Sequence, residues 1–402
     1  MKNSLSKRQK PIRVLHLITR LIVGGAQENT VFTARFLNPD FFDVDVICGP
    51  QTGSEGSLIE EAVQKGVKLF ILPELVRELN PLKDTIAFIK LIILLRKKRY
   101  SIIHTHSSKA GILGRFAAVI AGTPVIIHTV HGWSFHDYMS TFRKSFYITL
   151  ERTTAKFTDK IIVVTNRDID KGLKHRIGEP DQYQLIRSAI PLDEFLTPLD
   201  ETILRQELGI PSEAFVVGTV GRLSPQKNPL DWIEISARIA SQNPNCCFLM
   251  VGDGPLRNQV ESQIKKLNLE NKVILCGLRR DVSRLLSIMD VFLLTSLWEG
   301  LPRVLPQAMC REVPIVAYAT DGVSEIIQHG ISGMICPQGD IDSAAQYCIQ
   351  LLNSPELRER IIQNAKAVAT EQFDLRIMIK QLEELYLGFL GETYNGESGS
   401  AS

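Results

Sequence analysis

The amino-acid sequence predicts an α/β protein of two doubly wound domains that face each other across a cleft. The chain has 402 residues, which is more than one ordinary hydrophobic core accommodates. Short apolar runs rich in β-formers alternate with helix-period stretches, a pattern typical of parallel sheets with helical crossovers. The alternation stops once, between residues 189 and 211, where turn-forming and polar residues dominate. We therefore expect the domain boundary within that stretch.

The elements of the two series follow in order. Strands of the first series are predicted at residues 13–18, 42–48, 67–72, 102–106, 125–130 and 160–164, with helices at 84–99 and 141–156. Strands of the second series are predicted at residues 215–220, 247–251, 272–275, 291–295 and 314–317, with a last helix at 376–390. The predicted domains are thus 1–197 and 198–391, and we expect the last helix to pack back towards the first domain. The small polar residues of the tail, 392–402, predict disorder.

Composition and charge narrow the possible functions. With 44% hydrophobic and 22% charged residues, the chain resembles a globular protein, and we expect neither a membrane helix nor a signal peptide. Its seven cysteines lack metal-ligand spacing, which favours reduced thiols in a cytoplasmic protein. Residues 1–195 carry 28 Lys and Arg against 19 Asp and Glu, although the net charge of the whole chain is only +2. A basic half indicates an anionic partner, with ordinary solvated surface charge as the alternative.

Two loops of the second half carry side chains suited to a phosphate-bearing ligand. The stretch Gly218-Thr-Val-Gly-Arg222-Leu-Ser-Pro-Gln-Lys227 follows an apolar strand and brings two cations close to one another. The stretch Thr295-Ser-Leu-Trp-Glu299-Gly300 follows another strand and precedes a helix start, where free N–H groups attract phosphate. The alternatives are solvated cations in a loop and an acid that complements a helix dipole.

Three further groups are weaker candidates. Gly24-Gly25 follows the opening strand and permits close approach of a ligand or of the other domain. Asp321-Gly-Val-Ser-Glu325 again places a turn before a helix start, with an ordinary cap as the alternative. Histidines end two strands, at positions 104, 106, 128 and 131, and His131 is favoured as a hydrogen-bonding group because a glycine follows it. Metal binding by converging imidazoles stays possible in principle, but no carboxylate or thiolate accompanies them.

Taken together and in their order along the chain, the sequence motifs resemble those of glycosyltransferase family 4. Members of this family are retaining enzymes of the GT-B fold, which has two Rossmann-like domains. The motifs are Gly24-Gly25-Ala26, His104-Thr-His106 with Lys109-Ala-Gly111, His131-Gly132, Gly221-Arg222 with Lys227, Val251-Gly-Asp-Gly254, Glu299-Gly300, and Gly330 with Gly333. Stretches 107–115 and 128–132 are similar to the subgroup that builds capsule, O-antigen and exopolysaccharide repeat units.

The resemblance implies a UDP-sugar as donor and a lipid-diphosphate-linked glycan as acceptor, with no metal, no cofactor and no nucleic acid. It implies that the N-terminal domain binds the acceptor and the C-terminal domain the donor. By resemblance, Arg222 and Lys227 hold the donor diphosphate, Glu299 the transferred sugar, and His131 the sugar near the reacting centre. The other residues implied at the donor are Gly221, Gly254, Gly300, Leu301, Gln307 and Glu325, and those implied in the acceptor-side loop are Gly24 and Gly25.

Two departures from the family pattern keep alternatives open. Gln307 stands where the family has a second Glu, credited with binding the ribose, and an amide binds a hydroxyl less strongly than a carboxylate does. The loop Arg187–Pro191 replaces the usual Asn-Gly-Ile-Asp. A sugar-nucleotide 2-epimerase of the same architecture and a non-catalytic sugar-nucleotide-binding subunit therefore remain alternatives. A nicotinamide dehydrogenase is disfavoured, because the sequence lacks Gly-x-Gly-x-x-Gly.

The predicted helix at 84–99 ends in Arg96-Lys-Lys-Arg99 and has an apolar face. Such a helix is suited to an anionic membrane surface, so one interpretation is a cytoplasmic protein that binds the inner face of the cytoplasmic membrane. The alternative is a solvated basic helix packed on its own sheet.

Overall fold

A computed structural model of the chain describes residues 10–51 and 56–391. Two all-parallel sheets form its framework. The N-terminal sheet has seven strands, β1 (Ile12–Ile18), β2 (Phe42–Cys48), β3 (Lys68–Ile71), β4 (Ile102–His106), β5 (Val125–Val130), β6 (Lys160–Val163) and β7 (Tyr183–Leu185). The C-terminal sheet has six strands, β8 (Phe215–Val220), β9 (Cys246–Val251), β10 (Val273–Gly277), β11 (Val291–Leu294), β12 (Ile315–Tyr318) and β13 (Met334–Cys336).

Helices connect the strands and cover both sheets. Those of the first half are α1 (Gly25–Phe36), α2 (Ile59–Gln64), α3 (Pro81–Lys98), α4 (Ser108–Ala121), α5 (Thr141–Ala155), α6 (Asn166–Lys174) and α7 (Leu192–Leu196). Those of the second half are α8 (Thr202–Glu207), α9 (Pro229–Gln242), α10 (Arg257–Lys266), α11 (Val282–Ser287), α12 (Val304–Cys310), α13 (Val323–Ile326), α14 (Ile341–Asn353), α15 (Pro355–Gln372) and α16 (Leu375–Phe389). Every residue of β4 and β5 is buried, as expected for central strands with helices on both faces.

The order of strands determines where ligands can bind. The N-terminal sheet runs β3-β2-β1-β4-β5-β6-β7, so the direction of winding reverses between β1 and β4. The C-terminal sheet runs β10-β9-β8-β11-β12-β13 and reverses between β8 and β11. Such a reversal opens a crevice at the carboxyl ends of the two strands, where doubly wound sheets bind their ligands. Each domain therefore has one favoured position for a site.

The last helix lies on the N-terminal sheet although it belongs to the second half of the chain. Its residues Met378, Leu382 and Tyr386 share one apolar core with Ile12 and Val14 of β1. The chain thus crosses between the domains twice, so α16 ties the two halves together. The predicted tail at 392–402 lies outside the described residues.

The predicted strands and long helices are observed with shifts of a few residues at their ends, and two strands were not predicted. The missed strands, β7 and β13, are each three residues long and lie at the sheet edges. Three residues are too few to show a hydrophobic period. Within the described residues, no helix is both long and apolar enough to cross a membrane.

Candidate active site

The largest group of predicted site residues meets in one cavity between the two sheets, which we call the central cavity. Its volume is about 370 Å³, within the range of small-molecule sites. Loops that follow β1 and β5 line it from one side, and loops that follow β8, β9 and β11 line it from the other. The predicted residues that line it are Gly24, Gly25, His131, Gly221, Arg222, Lys227, Glu299, Gly300, Leu301 and Gln307.

The charged wall of the central cavity is built at the reversal point of the C-terminal sheet. Arg222 and Lys227 lie in the loop after β8, and Glu299 lies in the loop after β11. The Lys227 ammonium donates to the Glu299 carboxylate, whose side chain is only 8% exposed. The Thr295 hydroxyl donates to the Lys227 carbonyl oxygen at 3.0 Å, which joins the two loops through the backbone as well. Adjacent strands thus hold one carboxylate and two cations in one wall.

Gly300 is a contact point between the domains. A Cβ atom at this position would lie 2.3 Å from the His131 carbonyl oxygen, closer than any side-chain carbon can approach. A Cβ atom on Gly322 would likewise lie 1.4 Å from the Gly300 carbonyl oxygen. The glycines allow the loop after β11 to touch the loop after β5. His131 is thereby held opposite the charged wall.

The opposite wall rests on a buried chain of hydrogen-bonded rings, which we call the histidine chain. His131 Nε2 is 3.1 Å from His106 Nδ1, and His106 Nε2 is 2.9 Å from His16 Nδ1. His16 Nε2 lies 3.4 Å from the hydroxyl of Tyr386, which in turn lies 2.5 Å from His104 Nδ1. The chain therefore runs from the central cavity, through β4 and β1, to helix α16.

Burial keeps these imidazoles uncharged. It lowers the pKa of His131 to about 4, with the nearby Arg303 guanidinium acting in the same direction. Burial also lowers the pKa of His16 to about 3 and that of His104 and His106 well below 6.5. A neutral imidazole has one donor and one acceptor, so each ring's role fixes that of the next. The histidine chain thus determines whether Nδ1 of His131 offers a proton or accepts one.

Comparison with known proteins identifies the family. The description "Glycosyl transferase 4-like domain" matches residues 24–182, and "Glycosyl transferases group 1" matches residues 200–368. Over 391 residues the chain is 31% identical to the UDP-Gal:alpha-D-GlcNAc-diphosphoundecaprenol alpha-1,3-galactosyltransferase of Escherichia coli, covering 96% of this chain and 98% of that relative. The chain belongs to glycosyltransferase family 4.

Other relatives and solved structures agree with this assignment. The glycosyltransferase is 26% identical to the capsular polysaccharide biosynthesis glycosyltransferase CapM of Staphylococcus aureus, over 79% of this chain and 84% of CapM. Its fold matches HepE of Anabaena in complex with UDP and glucose with a TM-score of 0.81 at 23% identity, covering 94% of this chain and 100% of HepE. The GT-B fold and the enzyme class predicted from the sequence are confirmed.

Arg303 is a residue of this glycosyltransferase that the sequence did not single out. Its side chain, 5% exposed, lines the central cavity and donates to the Glu28 carboxylate at 2.5 Å and to the Ala189 carbonyl oxygen at 3.0 Å. It also donates to the Gly25 carbonyl oxygen at 3.3 Å. Arg303 therefore joins the Gly25 backbone and helix α1 to the C-terminal domain. The only indication in the sequence that Arg303 lies near the site was its position four residues after Glu299.

Glu325 and Gly254 were predicted at the donor, but the structure does not bring them to the central cavity. The Glu325 carboxylate accepts from the backbone N–H groups of Asn166 and Arg167 at 2.9 and 2.7 Å, at the start of α6. It also lies 3.4 Å from the guanidinium of Arg187. Glu325 thus bridges the domains, because the first turn of α6 and Arg187 together provide the positive charge that it complements.

Gly254 and Gln307 have contrasting positions. A Cβ atom on Gly254 would lie 2.4 Å from the Leu223 carbonyl oxygen. The loops after β8 and β9 can therefore pack against one another at this point only because residue 254 is a glycine. Gln307 lies on α12 and faces the central cavity. Among the described residues its side-chain amide makes no hydrogen bond, so both its donor and its acceptor remain available to a ligand.

Among the described residues, one group has the spacing of a metal site: His16, His104 and His106. His16 and His106 hydrogen-bond to one another, and His104 bonds to Tyr386 and, at 2.6 Å, to the Thr129 hydroxyl. A metal ion would have to displace these partners. The group therefore serves this glycosyltransferase as part of the histidine chain.

Proposed function

We propose that the protein is a retaining glycosyltransferase of cell-surface polysaccharide synthesis. It transfers a hexose or N-acetylhexosamine from a UDP-sugar to a hydroxyl of a lipid-diphosphate-linked glycan, without a metal ion. The observation that carries the proposal is the central cavity, which sets Arg222, Lys227 and Glu299 of one domain opposite His131 of the other.

The chemistry follows from the charges of that cavity. The bond between the sugar C1 and the diphosphate oxygen breaks, a bond from C1 to the acceptor oxygen forms, and the acceptor proton passes to the departing phosphate. Negative charge grows on the leaving group, where Arg222 and Lys227 stabilise it electrostatically. Glu299 accepts hydrogen bonds from the sugar hydroxyls, and neutral His131 holds the sugar from the opposite wall.

The partners of the carboxylates in the central cavity support the proposal that the reaction proceeds without a metal ion and without a covalent intermediate. Those that line it are Glu28, Asp253 and Glu299. Glu28 is paired with Arg303 and Glu299 with Lys227, while Asp253 accepts from the Gly254 backbone at 2.7 Å. Retaining hydrolases need a nucleophilic carboxylate and a second carboxylic acid near the sugar. Here the cavity's carboxylates are engaged by cations or backbone, which favours front-face attack by the acceptor.

The relatives support the substrate classes. The Escherichia coli relative, matched over 98% of its length, is named for UDP-galactose and a GlcNAc-diphosphoundecaprenol acceptor. The Staphylococcus aureus relative is named for capsular polysaccharide biosynthesis. We therefore expect the same type of donor and acceptor here.

The decisive experiment follows transfer directly. The purified protein is incubated with a panel of UDP-, GDP- and ADP-sugars and a short-chain alkyl diphosphate carrying N-acetylglucosamine, with and without EDTA. We expect transfer from a UDP-sugar, undiminished by EDTA, and an α-linked product by NMR. Loss of transfer with EDTA would overturn the metal-free mechanism, and a β-linked product would overturn retention.

The same experiment separates the two alternatives. A 2-epimerase would isomerise the sugar nucleotide in the absence of acceptor. A non-catalytic subunit would be stabilised by a UDP-sugar in a thermal-shift assay, yet would transfer nothing to any acceptor.

A lipid-linked acceptor lies in a membrane, so the proposed function requires that the protein contacts a membrane surface. Helix α3 has features that support such a contact. One face of α3 packs into the protein through Ala87, Leu91 and Leu95. Another face exposes an apolar stripe that begins at Leu82, 72% exposed, and continues through Ile86, Ile89 and Ile93. The helix ends in Arg96, Lys97 and Lys98. An apolar stripe beside a basic terminus fits the interface of an anionic bilayer, which we infer to be the inner face of the cytoplasmic membrane.

Flotation with liposomes tests this contact. We expect the protein to float with vesicles containing anionic lipid and to dissociate at high salt, because each basic residue contributes about 1 kcal/mol. A variant with Ile89→Glu and Ile93→Glu should remain at the bottom of the gradient. Flotation that is equal with neutral vesicles, or unchanged in the variant, would contradict the assignment.

A further inference from the structure

Three aromatic side chains meet across the boundary between the domains, and we call them the aromatic latch: His136, Tyr138 and Trp298. His136 and Tyr138 lie in the loop between β5 and α5, and Trp298 lies in the loop after β11. The rings of His136 and Trp298 are stacked, with centroids 4.3 Å apart and an interplanar angle of 9°. The centroid of the Tyr138 ring lies 5.2 Å from that of Trp298. One indole of the C-terminal domain thus packs against two rings of the N-terminal domain.

The imidazole of His136 is held in the aromatic latch by stacking. Among the described residues, its Nδ1 is buried without a hydrogen-bond partner. Burial, followed by the Lys171 ammonium, lowers the pKa of His136, so the ring is uncharged at neutral pH. Stacked aromatic rings attract one another beyond the apolar area that they bury. His136 therefore acts on Trp298 as a neutral aromatic surface.

A hydrogen-bonded bridge joins the same two loops beside the stack. The Tyr138 hydroxyl donates to Gln338 Oε1 at 3.0 Å. Gln338 Nε2 in turn donates to the Leu297 carbonyl oxygen at 2.8 Å and to the Ala319 carbonyl oxygen at 3.1 Å. Leu297 directly precedes Trp298. The loop after β11 is therefore held by the N-terminal domain through a side chain and, by way of Gln338, through its backbone.

The aromatic latch lies next to the charged wall of the central cavity. Trp298 directly precedes Glu299, which lines the cavity. Gln226 donates to the Trp298 carbonyl oxygen at 2.9 Å and lies 3.5 Å from the Glu299 carboxylate. On the other side of Glu299, Gly300 packs against the backbone of His131. Glu299 thus lies between two contacts with the N-terminal domain, and a shift of either contact would move its carboxylate.

We propose that Trp298 is a positioning residue for sugar transfer, held in place by His136 and Tyr138 of the opposite domain. The latch fixes the loop after β11, so that the Glu299 carboxylate stays directed at the transferred sugar. His136 and Tyr138 lie outside the central cavity, so they act through Trp298 and not through contact with the ligand. The assignment rests on the proposed function, because that function places the sugar hydroxyls at Glu299.

The test alters the latch from the side that does not line the central cavity. His136→Ala is compared with the wild type in kcat/KM for the identified UDP-sugar and in the Kd of UDP, which lacks the sugar. We expect kcat/KM to fall about 3- to 10-fold, the equilibrium value of one aromatic pair, and the Kd of UDP to stay unchanged. His136→Phe keeps a neutral stacking ring and should recover most of kcat/KM.

His329→Ala is the matched control. It removes an imidazole whose centroid lies 5.3 Å from that of the Tyr347 ring, within the C-terminal domain and outside the central cavity. It should leave kcat/KM unchanged, and thermal unfolding curves verify that each variant is folded.

Fluorine NMR reports the stack itself. The protein is labelled with fluorotryptophan, and Trp298→Phe identifies the resonance of Trp298 among those of the three tryptophans. We expect this resonance to shift in His136→Ala and to stay in place in His329→Ala. An unchanged resonance in His136→Ala would show that the stack does not form in solution, which overturns the proposal.

The kinetic outcomes separate a positioning role from a structural one. A shifted resonance with an unchanged kcat/KM would show that the latch only supports the fold, which overturns the proposal. A Kd of UDP that rises as much as kcat/KM falls would show a general loosening of the site, which also overturns it.

A wild type that transfers sugar to no acceptor would contradict the proposed function, and binding then decides about the latch. The Kd of the best-binding UDP-sugar is divided by the Kd of UDP in the wild type and in His136→Ala. A higher ratio in the variant supports the positioning role, and an equal ratio overturns it.

Discussion

The two walls of the central cavity are built in opposite ways. The wall from the C-terminal domain is charged, and Arg222, Lys227 and Glu299 of this wall lie within two short loops at adjacent strands. The wall from the N-terminal domain presents the neutral ring of His131, and its one carboxylate in the lining, Glu28, is paired with Arg303. The histidine chain behind this wall joins residues as far apart in sequence as His16 and Tyr386. Under the proposed function, the difference means that one wall stabilises charge while the other orients the sugar. Variants on each side should therefore fail differently.

The largest effect is expected on the charged wall. Lys227→Ala removes a cation to which we assign the stabilisation of the leaving diphosphate, and we expect kcat to fall about 10²- to 10³-fold, by analogy with a lost oxyanion donor. Steady-state kinetics with the identified UDP-sugar measure this. Lys265→Ala, on the exposed side of α10, is the matched control. A kcat within threefold of the wild type would contradict the assignment.

The neutral wall should respond to pH through stability. His16, His104, His106 and His131 have pKa values below 6.5 in the folded protein, so the unfolded chain binds more protons as the pH falls through 6.5. Their stabilising contribution is complete above pH 6.5 and declines below it, by roughly 1 kcal/mol for each histidine between pH 7.5 and 5.5.

Urea unfolding at these two pH values measures the change. Asp168 acts in the opposite sense, because burial raises its pKa to about 6 and the folded protein then binds the extra proton. Burial shifts further groups in both senses, because it raises the pKa of Glu194, Glu201 and Asp290 and lowers that of His128, His136 and His175. These seven histidines outweigh the four carboxyl groups, so we expect a net loss of stability at pH 5.5. Equal free energies of unfolding at the two pH values would mean that the histidine chain is hydrated or charged.

A smaller effect is expected at the far end of the histidine chain. Tyr386→Phe leaves Nδ1 of buried His104 without its partner, which should cost about 1 to 3 kcal/mol of stability. It should also lower kcat several-fold without changing the KM of the UDP-sugar, because the orientation of His131 loosens. Tyr183→Phe is a matched control, since its buried hydroxyl donates to the Ile177 carbonyl oxygen outside the chain. Equal kcat values in the two variants would show that Tyr386 only supports the fold.

The smallest effect concerns Gln307. Gln307→Glu replaces a neutral acceptor in the central cavity by a charged one, which strengthens a hydrogen bond by about 1 kcal/mol. We expect UDP to bind about fivefold more tightly by calorimetry. Gln242→Glu, exposed at the end of α9, is the control. Unchanged or weaker binding of UDP would place the ribose away from Gln307.

The sequence predicted more of the charged wall than of the neutral one. Arg222, Lys227 and Glu299 each follow an apolar strand, so local pattern and the rule for strand ends were sufficient. Arg303 escaped notice because its partners, Glu28 and Ala189, are remote in sequence. The short strands β7 and β13 were also not predicted. They are stabilised by pairing with the adjacent strand of the sheet, and their own three residues carry no detectable pattern.

By itself the sequence determined the alternation of strands and helices, the two parallel sheets and the family, because these depend on local periodicity and on motifs within single loops. Only the tertiary structure decided which candidates meet. In the tertiary structure Glu325 contacts the start of α6, and α16 packs on the N-terminal sheet. His16, His106 and His131 form hydrogen bonds with one another behind the central cavity. The physical reason is that a side chain's hydrogen-bond partners and its burial depend on contacts between distant segments, and no local pattern encodes them.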